Sequence, residues 1–350
     1  DMTDESVLAK GLVERVGMDD AALSHSAGER SVERGADAPD HEAAIQVVLD
    51  ALVDPDCGVL KRVDEIDAVG HRVVHGGEAI TRSCRIDAEV LDVIREHFQV
   101  SPLHNPPNLM GIEACRQAMP GVPNVAVFDT AFLTTLPPKA HRYAVPEDWY
   151  REYHVRKYGF HGTSHRYVTH RAAALLGKPL DEANLITAHL GNGCSMTAVA
   201  GGRAVDHSMG MTPLEGLMMG TRSGDLDPAV VGYMVSNGLT LDEVTRTLNK
   251  GSGLVAVSGV SHDMRDLLSA EAEGNRRAAL AIDMFVYRIV KYIGAYYTIL
   301  PGLDAVVFTG GIGENSVPVR RRVAEGLGRL GAVIDEAENE RIVGGRAGPI

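Results

Sequence analysis

The chain has few cysteines, and none has the spacing of a metal or disulfide scaffold. Its four cysteines lie far apart, with no C-x-x-C pair among them: Cys57, Cys84, Cys115 and Cys194. This pattern argues against a zinc ribbon and against a dense disulfide framework. It favours reduced thiols and a cytoplasmic location.

Uninterrupted apolar runs and excess positive charge are also lacking. The longest apolar stretch, residues 278–300, contains Asp283, Arg288 and Lys291, so it does not read as a membrane span. The formal net charge of −13 argues against a nucleic-acid or membrane-surface partner. A few clustered arginines would still suffice to bind an anionic substrate.

Two common nucleotide signatures are absent. The chain has no Gly-Lys-Ser/Thr, hence no P-loop, and its late glycine cluster lacks the third glycine of the dinucleotide fingerprint. It has instead four glycine-rich turns that follow apolar runs: Gly70–Glu78, Tyr158–His165, His189–Gly193 and Phe308–Asn315. Glycine lets backbone approach a ligand closely and present its N–H groups. Together with the arginine and histidine in these turns, this predicts a site for phosphates and developing negative charge.

The order of the predicted elements favours an α/β protein, and 350 residues suffice for two domains. Strands are predicted at 68–74, 125–128, 185–189 and 305–308, with a hairpin continuing to 195–199. Helices are predicted from 227 to 238, from a capping box at 240–243, and over 274–300 and 316–330. A surface loop is predicted over residues 26–40, and a rigid extended segment over 102–107.

Single residues leave alternatives open. Arg72 either points to solvent by strand alternation or holds a carboxylate or phosphate through two hydrogen bonds. Asp129 is either a cap or turn former, or a general base or ligand of metal-bound water. His161 and His165 are four residues apart, but the glycines around His161 favour oxyanion stabilisation over zinc binding. Arg222 is either a solvated loop residue or an anion clamp.

Taken together, the motifs resemble the acetate kinase family. The resemblance lies in His71–Gly77, Leu103–Asn108, Phe128–Phe132, Tyr158–His165, His189–Gly193, Met211–Leu217 with Arg222, and Phe308–Ser316. It implies two ribonuclease-H-like domains of the actin-like ATPase type, 1–131 and 132–350, with an interdomain cleft. It also implies reversible phosphorylation of acetate by ATP with Mg²⁺ or Mn²⁺, in a homodimer that pairs through the second domain. A propionate or butyrate kinase and a non-catalytic nucleotide-binding paralogue are the alternatives.

The resemblance assigns roles by position. Arg72 would hold the carboxylate and the transferring phosphoryl group, Arg222 and His161 would stabilise the transition state, and Asp129 would handle a proton or organise Mg²⁺. The acyl pocket would consist of Val74, Leu103, Phe160 and Pro213. The ATP-binding segments would be His189, Leu190, Gly191, Asn192 and Gly193; Asp263, Met264 and Arg265; and Gly311, Ile312, Gly313, Glu314 and Asn315.

The sequence also departs from the family's pattern. The family opens with a strand and an Asn-x-Gly-Ser-Ser-Ser-x-Lys phosphate loop that does not occur in these 350 residues. Its asparagine and glutamate metal positions are expected outside this chain, so metal ligands stay unassigned apart from Asp129 acting through water. The N-terminal strand and the C-terminal end are therefore expected to be missing here.

Overall fold

The computed structural model describes residues 3–4, 6–101 and 104–350. Contacts divide the chain into two compact units, Asp1–Phe128 and Asp129–Ile350. Leu103, predicted for the acyl pocket, lies outside the described residues. The functional domains 1–131 and 132–350 stay a prediction.

The first unit contains two small sheets, and in the second of them two helices lie between strands. Its described elements are β1 (Lys10–Glu14), β2 (Ala22–Ala27), β3 (Arg30–Gly35), α1 (His41–Val53), a 3₁₀ turn (Val63–Glu65), β4 (Val69–Val73), β5 (Cys84–Arg85), α2 (Ala88–Glu96), α3 (Asn105–Ala118) and β6 (Asn124–Phe128). β1, β2 and β3 form an antiparallel meander. In the second sheet β6 is central, parallel to β4 and antiparallel to β5.

The predicted surface loop at 26–40 is wrong, because most of it belongs to the hairpin of β2 and β3. Alternate residues of β2 are buried, and they include the apolar Leu23 and Ala27 and the polar His25, whose Nε2 lies 3.0 Å from the Cys57 carbonyl oxygen. β3 is mostly exposed and polar. Its composition therefore resembles that of a loop although its backbone is paired.

The predicted extended segment is also wrong where the structure describes it. Helix α3 begins at Asn105, so Pro106 and Pro107 lie in its first turn. Proline is tolerated there because the first helical N–H groups have no intrahelical acceptor. Residues 102 and 103 lie outside the described residues.

The second unit is built on a four-stranded mixed sheet. Its described elements are a 3₁₀ turn (Ala131–Thr135), α4 (Pro138–His141), α5 (Glu147–Tyr153), α6 (Gly162–Leu175), a 3₁₀ turn (Leu180–Glu182), β7 (Leu185–Leu190), β8 (Cys194–Ala200), β9 (Arg203–His207), α7 (Ala229–Ser236), α8 (Leu241–Lys250), α9 (Gly253–Ser258), α10 (Met264–Ala272), α11 (Arg276–Ile299), β10 (Ala305–Thr309), α12 (Gly310–Asn315), α13 (Val317–Gly326), a 3₁₀ turn (Gly328–Leu330) and α14 (Glu336–Arg341). The strand order is β10-β7-β8-β9, with β10 parallel to β7 and the other pairs antiparallel.

Local signals predicted this unit well. The hairpin of β7 and β8 is confirmed, with His189 opposite Ser195 in its register. The capping box of Thr240 and Glu243 at the start of α8 is present. α11 buries one apolar face that includes Ala278, Ile282 and Phe285. In the described part of the chain, no helix is long and apolar enough to span a membrane.

Candidate active site

In the first unit, Arg72 and Val74 lie where the chain leaves β4. Arg72 is exposed in the strand, and Val74, just beyond its end, is buried. Asn105 and Asn108 at the start of α3 hold this backbone. Their Oδ1 atoms accept from the N–H groups of His75 and Val74 at 3.0 and 3.1 Å. The two asparagines of the proline-rich motif therefore fix the position of Val74.

Asp129 is anchored to the start of α6. It is 2% exposed, and its Oδ1 accepts a hydrogen bond from the Thr163 hydroxyl at 3.0 Å. Its carbonyl oxygen accepts from the Gly162 N–H at 2.8 Å. A Cβ on Gly162 would lie 2.1 Å from that oxygen, so the contact requires glycine. The 3₁₀ turn after Asp129 has no side-chain cap, which weakens the reading of this aspartate as a simple cap.

His161 immediately precedes α6 in a strained backbone conformation. Its φ of 59° is left-handed, which is uncommon outside glycine and is found preferentially at functional positions. Its Nδ1 lies 2.9 Å from the Ser195 hydroxyl oxygen, and its ring centroid lies 4.4 Å from that of His189. The ring therefore sits over the hairpin of β7 and β8.

His161 and Arg222 meet beside Gly193. A Cβ at Gly193 would lie 3.4 Å from Arg222 Nη1 and 3.5 Å from His161 Nε2. Nη1 also donates to the Pro213 carbonyl at 3.2 Å. Among the described residues no carboxylate forms an ion pair with Arg222, and burial lowers the pKa of this guanidinium. A half-buried cation without an acidic partner suits a bound anion.

The phosphate-loop candidate is tied to the segment that carries Arg222. Gly191 N–H donates to the Gly193 carbonyl at 3.2 Å, and the Asn192 carbonyl accepts from Gly220 N–H at 3.0 Å. A Cβ at Gly220 would lie 2.0 Å from Asn192 Oδ1, so the two segments touch closely. His189 Nδ1 lies 2.9 Å from the Ser164 hydroxyl, while the Leu190 side chain is fully buried.

Behind the half-buried His161 lies another histidine, His165, which is fully buried. His165 Nδ1 is 2.7 Å from Thr187 Oγ1, and its Nε2 is 2.7 Å from Ser195 Oγ. Burial, helped by the neighbouring histidines, holds the pKa of His165 well below its usual value, so the ring is neutral at pH 7. Both nitrogens face hydroxyl groups, which is the geometry of a hydrogen-bonded core histidine.

Another buried histidine, His207, supports the turn before His161. The Phe160 N–H donates to His207 Nε2 at 3.1 Å, and the other nitrogen, Nδ1, lies 2.8 Å from Thr197 Oγ1. Because Nε2 accepts, His207 is neutral with its proton on Nδ1. This is consistent with its pKa, which burial, with Lys157 nearby, holds well below the usual value. Phe160, predicted for the acyl pocket, is thus held through its backbone and is itself buried.

The segment predicted near the adenosine at 263–265 begins α10. Asp263 caps this helix and accepts from the N–H and the guanidinium of Arg265, which lowers the pKa of the carboxyl to about 2. The Arg265 side chain is 89% exposed, whereas Met264 is buried. Of the three residues, Arg265 is therefore the one whose side chain extends furthest into solvent.

The segment predicted at 311–315 forms the short helix α12, together with Gly310. Glu314 Oε1 accepts from the Thr309 hydroxyl at 3.1 Å, and Asn315 Nδ2 donates to the Gly311 carbonyl at 2.9 Å. Gly313 is buried, whereas Gly311, Glu314 and Asn315 are exposed and Ile312 is half-buried. Gly310 has a φ of 77°, and a Cβ there would lie 2.7 Å from the Leu190 carbonyl oxygen, so this turn packs against the end of β7.

The described residues contain no group of three His, Cys, Asp or Glu side chains placed to hold a metal ion. Asp129 offers one buried carboxylate, and one of its oxygens, Oδ1, accepts a hydrogen bond from the Thr163 hydroxyl. Mg²⁺ commonly binds one or two carboxylates together with water and substrate phosphates. These residues therefore fit an Mg²⁺ ion that is carried by a nucleotide, and they do not by themselves form a complete cage.

Comparison with solved structures identifies the fold class of this chain. A Porphyromonas gingivalis acetate kinase matches with a TM-score of 0.94 and 46% identity, over 98% of this chain and 87% of that one. A Francisella tularensis propionate kinase matches with a TM-score of 0.92 and 40% identity, over 99% and 89%. The fold is thus the mixed α/β, actin-like ATPase fold of these kinases.

The sequence comparison is more specific. The model of the acetokinase family matches residues 1–349. The acetate kinase of Methanosarcina acetivorans is 54% identical over 342 residues, which cover 97% of this chain and 84% of that protein. The chain belongs to the acetokinase family.

Sequence reasoning missed several residues that shape this site. Thr187, Ser195, Thr197 and His207 lie in β7, β8 and β9, and all four are buried. The available signal was polar residues inside otherwise apolar buried strands, because such groups need hydrogen-bond partners. Their partners lie far away in sequence, so the signal marks the residues without identifying their contacts.

Proposed function

We propose that this chain is an ATP:acetate phosphotransferase that converts ATP and acetate reversibly into ADP and acetyl phosphate. Membership of the acetokinase family supports the reaction. The observation that carries the proposal is the meeting of His161 Nε2 and Arg222 Nη1 beside Gly193. Two donors directed at one small space suit the oxygens of a transferring phosphoryl group, which needs positioning and positive charge rather than a protein nucleophile.

Arg222 and His161 would stabilise the charge that develops on the phosphoryl oxygens. Arg222 is suited to this because it is half-buried without a carboxylate among the described residues that would neutralise it. His161 is suited because Ser195 holds its Nδ1 and its Nε2 is the nitrogen that lies near Gly193. One such donor contributes on the order of 3 kcal/mol to transition-state stabilisation.

Arg72 would bind the carboxylate, and Val74, Leu103, Phe160 and Pro213 would surround the methyl group. An apolar pocket distinguishes acids that differ by one methylene by about 1–3 kcal/mol. Propionate is the second candidate substrate, favoured by the likeness to the Francisella tularensis propionate kinase. Comparing acetate, propionate and butyrate as phosphoryl acceptors decides between them.

ATP would bind through its phosphates to the turn of residues 189–193, and its adenosine would lie against 263–265 and 311–315. Asp129 would hold an ATP-borne Mg²⁺ or Mn²⁺ through water. When bound, such an ion would neutralise part of the phosphate charge. The buried carboxylate of Asp129, fixed by Thr163, supplies an oriented acceptor for the water.

A cytoplasmic homodimer that pairs through the second unit is part of the proposal. Helix α7 supports it, because the helix is mainly apolar yet has no buried residue. Val230, Tyr233 and Val235 are exposed, Tyr233 by 67%. Such a face favours association with another surface. Analytical ultracentrifugation of the wild type and of a Tyr233→Lys variant tests this pairing.

The activity is tested by trapping acetyl phosphate with hydroxylamine in the presence of ATP and acetate. Arg72→Ala and Arg222→Ala should each lower kcat on the order of 100-fold, with a smaller change in the KM for ATP. Arg151→Ala is the matched control, because Arg151 is exposed and pairs only with Glu147 among the described residues. ATP binding without any hydroxamate in the wild type would support a non-catalytic nucleotide-binding protein instead.

A further inference from the structure

A line of four hydrogen-bonded side chains runs from the sheet to His161. Thr187 Oγ1 lies 2.7 Å from His165 Nδ1, His165 Nε2 lies 2.7 Å from Ser195 Oγ, and Ser195 Oγ lies 2.9 Å from His161 Nδ1. Thr187, His165 and Ser195 are each fully buried. Only His161, at the end of the line, is half-buried. The line therefore connects the rigid core of the sheet to the ring beside Gly193.

The Ser195 hydroxyl contacts Nδ1 of His161, the ring nitrogen other than the one near Gly193. A hydroxyl carries one proton, so Ser195 accepts from one imidazole while it donates to the other. When Ser195 accepts from His165 Nε2 and donates to His161 Nδ1, a neutral His161 carries its proton on Nε2, the nitrogen near Gly193, and can donate it to a ligand there. Because His165 is neutral, it offers one donor and one acceptor, which match Thr187 and Ser195.

We propose that Ser195 is a positioning residue of the phosphoryl-transfer site, which acts by holding His161 through Nδ1. This inference rests on the proposed function, in which His161 Nε2 contacts the transferring group. Ser195 itself acts behind the ring, through His161, and does not contact the reacting atoms. The left-handed backbone of His161 sets the direction in which its side chain leaves the chain, and the hydrogen bond between Ser195 and Nδ1 then fixes the orientation of the ring.

The test begins with Ser195→Ala in the full chain. We expect kcat to fall by about 10- to 100-fold, since a misplacement near 1 Å has an effect of this size, while the KM values for ATP and acetate change less than about twofold. Ser208→Ala is the matched control. Ser208 is equally buried and its hydroxyl accepts from the Met196 N–H at 2.8 Å, outside the histidine line, so kcat should be retained.

The decisive measurement is a double-mutant cycle with His161→Ala. If Ser195 acts through His161, the double variant has the kcat of His161→Ala alone. Multiplicative losses would show that Ser195 acts independently, and would overturn the inference. A large loss in His161→Ala with normal kcat in Ser195→Ala would overturn the inference alone, whereas normal kcat in His161→Ala would also refute the proposed role of that histidine.

Thermal midpoints of all variants separate loss of folding from loss of orientation. Ser195→Cys provides a second route if Ser195→Ala is unstable, because a thiol keeps a weak donor and acceptor in a similar volume. Its kcat should lie between those of Ser195→Ala and the wild type. A thiol variant that is as slow as Ser195→Ala while melting at the wild-type temperature would contradict the inference.

Discussion

At the scale of single residues, the site depends on positions where a side chain is either forbidden or strained. Gly162 lies so close to the Asp129 carbonyl that a Cβ would collide with it. The next residue towards the N-terminus, His161, has the left-handed backbone that glycine usually provides. The backbone alone would favour glycine here, so the strain of placing a histidine at this position suggests that its ring is used. This supports a functional role for His161.

Val74 offers a test of acid selectivity at the same scale. Val74→Ala should raise the ratio of kcat/KM for propionate to that for acetate about fivefold or more, because it enlarges the proposed acyl pocket by two methyl groups. Val73→Ala is the matched control: Val73 is also buried, but neighbouring strand residues point to opposite faces. An unchanged ratio in Val74→Ala would place the acyl pocket elsewhere.

At the scale of elements, a buried arginine joins three helices of the second unit. Arg320 on α13 donates from Nη1 to the carbonyls of Gly313 and Glu314 in α12. Its Nε and Nη2 bind the side chain and carbonyl of Asn339 in α14, and Nη2 also binds the Ile342 carbonyl. All five N–H donors of the guanidinium are used. Neutral carbonyls thus solvate this buried cation and hold α12 in place.

Arg320→Met should destabilise the second unit by about 3 kcal/mol or more, because several buried carbonyls lose their donor at about 1–3 kcal/mol each. The KM for ATP should rise more than the KM for acetate, since α12 is the proposed adenosine segment. Arg321→Met is the control. Arg321 forms partly exposed ion pairs with Glu336 and Glu340, which contribute at most about 1 kcal/mol. Equal destabilisation in urea titrations of the two variants would contradict this account.

Elements with a complete local signal could be predicted from the sequence. The hairpin of β7 and β8 has its Asn-Gly turn, α8 has its capping box and α11 has its apolar stripe. The hairpin of β2 and β3 was missed because its stability comes from pairing rather than composition. Ser195 and His207 were missed because their partners, His161 and Phe160, lie 34 and 47 residues away. Such contacts depend on tertiary packing, which local patterns do not encode.

At the scale of the whole molecule, two buried neutral histidines make stability depend on pH. Burial holds the pKa values of His165 and His207 well below the ordinary value of about 6.5. As pH falls below that value, the unfolded chain binds protons at these residues and the folded chain does not. The free energy of unfolding therefore falls as pH falls. Each histidine should remove about 1 kcal/mol between pH 6.5 and 5.5, hence about 2 kcal/mol for both.

The measurement is urea unfolding at pH 6.5 and 5.5, followed by the fluorescence of Trp149, the single tryptophan, which lies in the same unit as both histidines. His207→Gln should lower stability at both pH values, because Phe160 N–H and Thr197 lose their imidazole partner. It should also reduce the pH dependence by about 1 kcal/mol, because one buried titrating group is removed. His170→Gln, which removes an exposed histidine from α6, is the control and should keep the wild-type dependence. If His207→Gln and the wild type lose the same free energy between the two pH values, His207 is not held neutral by the fold.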